Sequence, residues 1–161
     1  MRFGKVFQTS LKLYAHLSLY LHNIGYSIKC KMDGKATYWI EMSDYDFDTA
    51  KAMLETKRYL YVAFMCHQTI EKILKAYWSE VLEEPPLKIH HLSRLAAKSG
   101  LVNDLSEEQL NFIDELEPLN IEARYPSYKE QLLKTLTPEY CKKLLTRTNE
   151  LRQWIKIKLS K

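Results

Sequence analysis

Glycine and proline are scarce in this 161-residue chain, at four and five residues, which leaves too few turn formers for a β-sandwich or a disordered low-complexity region. No run alternates β-branched and polar residues, so no strand competes with helix. The three cysteines, Cys30, Cys66 and Cys141, are odd in number, widely spaced and without a C-x-x-C pair. Neither a disulfide framework nor a zinc knuckle is indicated, and a reducing cytoplasm fits. Acid is missing altogether from residues 1–31, which carry Arg2, Lys5, Lys12, Lys29 and Lys31. The net charge of +4 is therefore an N-terminal property, because residues 32–161 hold 19 basic residues against all 20 acids. That balance lacks the Lys and Arg cluster with which a duplex-binding domain displaces counterions.

A long hydrophobic run is missing too. Leu13 to Ile28 is free of charge, but His16, His22, Asn23 and Gly25 interrupt it. It falls short of the roughly 20 apolar residues a membrane span requires, and no small-residue cleavage pattern follows. Residues 1–37 are read as a basic N-terminal extension and 38–161 as one helical domain with its own core. The extension is either an amphipathic helix that docks on the domain or a surface, or an upstream extension of the reading frame with Met32 or Met42 as the start. The abrupt change in charge balance at Met32 favours the second.

What is present is helical periodicity. Ser43, followed by Asp44, Asp46 and Asp48, predicts an N-cap and an acidic first turn for a helix from about Asp44 to Lys57. From Tyr59 onward, Val62, Ala63, Cys66, Ile70, Ile73, Leu74, Tyr77 and Val81 recur at steps of three and four, the stripe of a helix buried along its length. Pro85 and Pro86 stop it. A short helix follows, ending at Gly100, where glycine can take the left-handed conformation. Asn103 or Ser106 starts the next, with Leu110, Ile113 and Leu116 on its apolar face. Thr137 and Pro138 form an N-cap and N1 pair for a long last helix carrying Tyr140, Leu144, Leu151, Ile155 and Leu159. The expected fold is all-α, a four- to five-helix up-and-down antiparallel bundle.

Few residues announce chemistry. His90 and His91 are adjacent, so on a helix they point about 100° apart, and Cys66 and His67 share the difficulty. No metal site is expected from these pairs; one of His90 and His91 is expected to cap the short helix while the other packs. No G-x-S-x-G elbow, H-E-x-x-H or phosphate-binding glycine loop is present, and no cofactor is implied. Gln68, Glu71, Lys72 and Lys75 follow at helical steps and form a polar ridge alongside the apolar stripe, whose bland explanation is an intrahelical Glu71–Lys75 pair worth a few tenths of a kcal/mol. In "LNIEARYPSY", Arg124 offers a guanidinium fork to phosphate, with Tyr125 and Tyr128 close by to stack or donate. Its bland explanation is a helix-end residue paired with Glu117 or Glu122.

Taken together, "AFMCHQTIEKILKAYW", "PPLKIHHLSRLA" and "LNIEARYPSY" resemble the HEPN family, the helical domain named for nucleotide binding in higher eukaryotes and prokaryotes. The similarity covers about residues 38 to 158. The resemblance implies a helical bundle, usually a homodimer, that binds a nucleotide or nucleic acid and is the partner of a minimal nucleotidyltransferase in a toxin–antitoxin-like pair. Some members are ribonucleases with an arginine followed four to six residues later by a histidine. "YPSYKEQLL" after Arg124 holds none, so ribonuclease activity is not carried across. The ligand-binding residues expected are Arg124, Tyr125, Tyr128, Lys72 and Lys75, with no catalytic residue and no membrane partner. A ribonuclease with a different site and a ligand-free structural dimer are the alternatives.

Overall fold

The structure, a computed structural model, describes residues 34–122 and 134–160, with side chains over 34–120 and 134–160. Its helices are α1 (Gly34–Glu55), α2 (Tyr59–Val81), α3 (Leu92–Lys98), α4 (Glu107–Leu116), α5 (Leu119–Glu122) and α6 (Pro138–Leu159), with a 3-10 turn at Leu101–Asp104. No strand occurs among the described residues. The fold is an all-α bundle. Residues 32–161 form one compact unit.

Helix α1 differs from expectation. It starts at Gly34 rather than near Asp44, so part of what the sequence reading assigns to the extension is already helical. Ala36, Ser43 and Ala50 recur every seven residues and are completely buried. Such small side chains let two helices approach closely, and α1 packs along α2 as an antiparallel hairpin joined by residues 56–58. Ser43 is therefore not an N-cap. Its hydroxyl crosses the interface and donates to the Thr69 carbonyl of α2 at 2.8 Å. The three aspartates lie mid-helix instead of in a first turn: Asp44 pairs with Arg152 and Lys156 of α6, Asp48 with Lys51, and Asp46 faces Lys72 of α2. At the other end Lys57 takes a left-handed φ of 59°, and the Arg58 amide returns to the Met53 carbonyl at 2.7 Å, closing the helix as a glycine ordinarily would.

Helix α2 is the central helix of this unit, touching α1, α3, α4, α5 and α6. Ile70, Ile73 and Leu74 are fully buried in the core with Leu92, Leu95, Leu101, Leu116 and Ile155. Gly100 follows α3 with φ 78°, as the sequence predicts. Of the two starts proposed for α4, Ser106 is the N-cap: its hydroxyl accepts from the Gln109 amide and Gln109 returns the bond. Thr137 caps α6 with Pro138 at its first position. These local signals hold because each is satisfied within four residues and needs nothing from tertiary packing.

Candidate functional site

The polar ridge of α2 is internal. Glu71 is 1% exposed and Lys75 7%, with their side chains 2.7 Å apart. The intrahelical Glu71–Lys75 pair expected from the spacing is present and is withdrawn from water, because α1 lies over it and the segment after Pro86 crosses its other side. The Lys75 ammonium sits 5.2 Å from the Trp39 ring centre, a cation–π contact that helps hold a buried charge. The second Glu71 oxygen lies 2.8 Å from His90 Nδ1. Burial works to raise the Glu71 carboxyl, but the bonds from Lys75 and His90 and the charge of Lys72 outweigh it and hold its pKa below the ordinary range. An ionised carboxylate only accepts, so Nδ1 carries the His90 proton and Nε2 is left free to act elsewhere.

Lys72 donates to Gln68 at 2.9 Å and stands 3.9 Å from Asp46. Burial raises the Asp46 pKa against the pull of Lys72. Two ammonium groups here face two carboxylates, so the ridge has no net charge when all four are ionised. Gln68 also reaches Asn120 of α5 at 3.4 Å, tying the ridge to the helix that leads toward residue 124. Arg124, Tyr125 and Tyr128 lie outside the described residues.

The segment before α3 completes the arrangement. Neither His90 nor His91 packs in the core, and His91, at the N-cap position, makes no capping bond with its side chain. Glu117, just after α4, caps α3 from a distance: its carboxylate accepts from the Leu92 amide at 2.8 Å, the Ser93 amide at 3.1 Å and the Ser93 hydroxyl. Burial acts to raise its pKa, but these bonds and His91, 3.2 Å away, hold it low. Sequence periodicity cannot show such a cap, since its two halves are 25 residues apart. Glu117→Ala is expected to lower stability by about 1–2 kcal/mol, as the loss of a good N-cap does, readable as a reduced urea midpoint with an unchanged slope.

Ile89, His90, His91, Arg94, Glu117 and Asn120 enclose an open cavity of about 290 Å³. Arg94 is exposed and makes no ion pair among the described residues. Two exposed imidazoles, each beside a carboxylate, the exposed Arg94 guanidinium, the Asn120 carboxamide and the Glu117 carboxylate line it, and of these Arg94 is the group with the donor fork that suits an anion. Lys72 does not line this cavity and is linked to it through Gln68 and Asn120, and Lys75 stands beside Trp39, on the wall of a different cavity. Arg94 is the residue that sequence reasoning passed over, although it stands in the quoted "PPLKIHHLSRLA". Only the turn at His91 sets it beside two histidines.

Neither described cysteine supplies a nucleophile. Burial pushes the Cys66 thiol up to about 12 and the Cys141 thiol to about 11, so both stay protonated. No group of three His, Cys, Asp or Glu among the described residues could hold a metal ion, and no described helix is long and apolar enough to cross a membrane.

A family model, HEPN domain, matches residues 36–158. Among solved structures, the crystal structure of TT1696 from Thermus thermophilus is similar with a TM-score of 0.66 at 18% identity, covering 77% of this chain and 98% of that one. At that identity the likeness concerns the fold. Comparison with curated proteins gives no match.

Proposed function

Because the chain belongs to the HEPN domain family, whose model spans residues 36–158, we propose that it binds a nucleotide or nucleic acid through phosphate, without catalysing its cleavage. In this reading it is the partner of a minimal nucleotidyltransferase in a toxin–antitoxin-like pair, and it acts as a cytoplasmic homodimer. The observation that supports the reading is Arg94, with no ion pair among the described residues, beside His90, His91 and Asn120 around one cavity whose single described carboxylate, Glu117, is engaged by the α3 amides, Ser93 and His91. Arg124 is proposed as a second phosphate fork, with Tyr125 or Tyr128 stacking on a base; these roles rest on side-chain chemistry. Lys72 and Lys75 enter as the charges that hold Asp46 and Glu71 in place.

A thermal-shift titration tests this. Ligand that binds only the folded state stabilises it by RT ln(1 + [L]/Kd), so about 1 mM ATP or GTP with a Kd of about 100 µM contributes roughly 1.4 kcal/mol, a rise of about 5 °C. The shift is expected with ATP, GTP or a short RNA and is expected to vanish in Arg94→Ala, whose exposed side chain leaves the unliganded midpoint in place. No shift with any of the three contradicts the reading.

One observation favours a second reading. The Glu71–His90 pair is an imidazole oriented by a buried carboxylate, which is how a general base is held. A ribonuclease with this non-standard site would cleave RNA in the presence of a chelator and lose that activity in His90→Ala.

A further inference from the structure

A second cavity, of about 520 Å³, opens at the start of α1 and is distinct from the one around Arg94. Its walls are the Trp39 and Tyr38 rings, 5.3 Å apart at 70°, and the Pro85–Leu87 segment beyond α2. Among the described residues no acid lines it, whereas Lys35, Lys75 and Lys88 do. Lys75 is neutralised by Glu71. Lys35 and Lys88 are exposed and make no ion pair among the described residues, so the described lining carries two positive charges with no described counter-charge. At its wall stands Ser79, 8% exposed, whose hydroxyl has no hydrogen-bond partner. A serine in the last turn of a helix ordinarily bonds a carbonyl one turn back, and a buried hydroxyl left alone is costly. An acceptor atom on a bound molecule would satisfy it.

We propose that this cavity binds a small aromatic anion, a planar ring bearing a carboxylate or sulfonate. Apolar walls with a few polar groups, in a volume of several hundred Å³, are the ordinary make-up of a small-molecule site. The ring lies against Trp39 and Pro86, the anionic group faces Lys35 and Lys88, and the Ser79 hydroxyl donates to an oxygen. Inorganic phosphate has no apolar surface to bury here, and an uncharged ring leaves both lysines without a counter-charge.

Naphthalene-2-sulfonate titrated into the full chain, read by the indole N–H resonances of its tryptophans and by contacts between ligand and protein protons, tests the assignment. Saturable movement of the Trp39 resonance is expected, with proton contacts to Trp39 and Tyr38. The double variant Lys35→Glu/Lys88→Glu, both positions being exposed, is expected to weaken binding by about tenfold or more, and added salt to narrow that difference. Uncharged 2-naphthol is expected to bind about tenfold more weakly than the sulfonate, and inorganic phosphate not to displace it. Absence of saturation, equal affinity in the double variant, or movement confined to Trp78 and Trp154 would overturn the proposal.

Discussion

Replacing Glu71 with alanine is expected to lower the unfolding free energy by about 3–5 kcal/mol, the cost of leaving a buried partner charge uncompensated. Lys75 would remain 7% exposed, against the Trp39 ring and with its carboxylate gone. His90 would lose the acceptor that fixes its Nδ1 proton, so the same change loosens the mouth of the Arg94 cavity. For a domain whose total stability is on the order of 5–15 kcal/mol, that loss takes a large share. A second substitution separates charge from packing. Glu71→Met with Lys75→Met removes both buried charges while keeping apolar volume, and is expected to recover most of the loss, since buried pairs replaced by hydrophobic residues are often neutral or better. Urea unfolding at pH 7 measures both. A loss below about 1 kcal/mol in Glu71→Ala, the range of an exposed pair, would show that the ridge is hydrated after all.

Acidification from pH 6.5 to 4 is expected to remove roughly 3 kcal/mol of stability through His67 alone. The side chain is completely buried and neither ring nitrogen has a hydrogen-bond partner. Burial lowers its pKa from 6.5 to about 4, although the nearby Glu71 and Glu117 carboxylates favour protonation; the charge of His90 opposes it. Below pH 6.5 the unfolded chain takes up a proton that the folded chain refuses until about pH 4. The stabilisation is thus complete above the unfolded value and is lost as pH falls through this window. Glu71 and Glu117, also held low, lose their contributions in a lower window, below the ordinary carboxylate value of 4.5. His67→Leu is expected to be near neutral at pH 7, since it removes two unpartnered buried nitrogens, and to flatten the stability profile between pH 6.5 and 4. A variant as acid-sensitive as the parent would contradict this.

Much of the fold was legible because its signals are local. The stripe of α2, the Thr137–Pro138 start of α6, the Ser106 cap and the Gly100 stop are each written within a turn or two of chain. The start of α1 was misread for the opposite reason. Ser43 followed by three aspartates has the composition of an N-cap, and only packing against α2 shows that Ala36, Ser43 and Ala50 are one buried stripe in which a serine serves as a small residue. The site was less legible still. Gln68, Glu71, Lys72 and Lys75 were found by spacing, but whether such a ridge faces water depends on α1 and the His90 segment crossing it. Glu117 capping α3 is a long-range pairing that no periodicity encodes, and Arg94 comes beside His90 through the local turn that precedes α3, which helical spacing does not show.

The measurement that bears most directly on phosphate binding in the Arg94 cavity is a carbon–proton NMR titration of the histidine side chains, with ATP and with a short RNA, followed together with the arginine side-chain N–H signals. The account expects His90, His91 and Arg94 to move together and saturate, while buried His67 moves little. The same titration of Arg94→Ala is expected to leave the imidazoles unmoved. Saturating ligand that leaves His90, His91 and Arg94 in place would contradict the assignment of this cavity as the phosphate site.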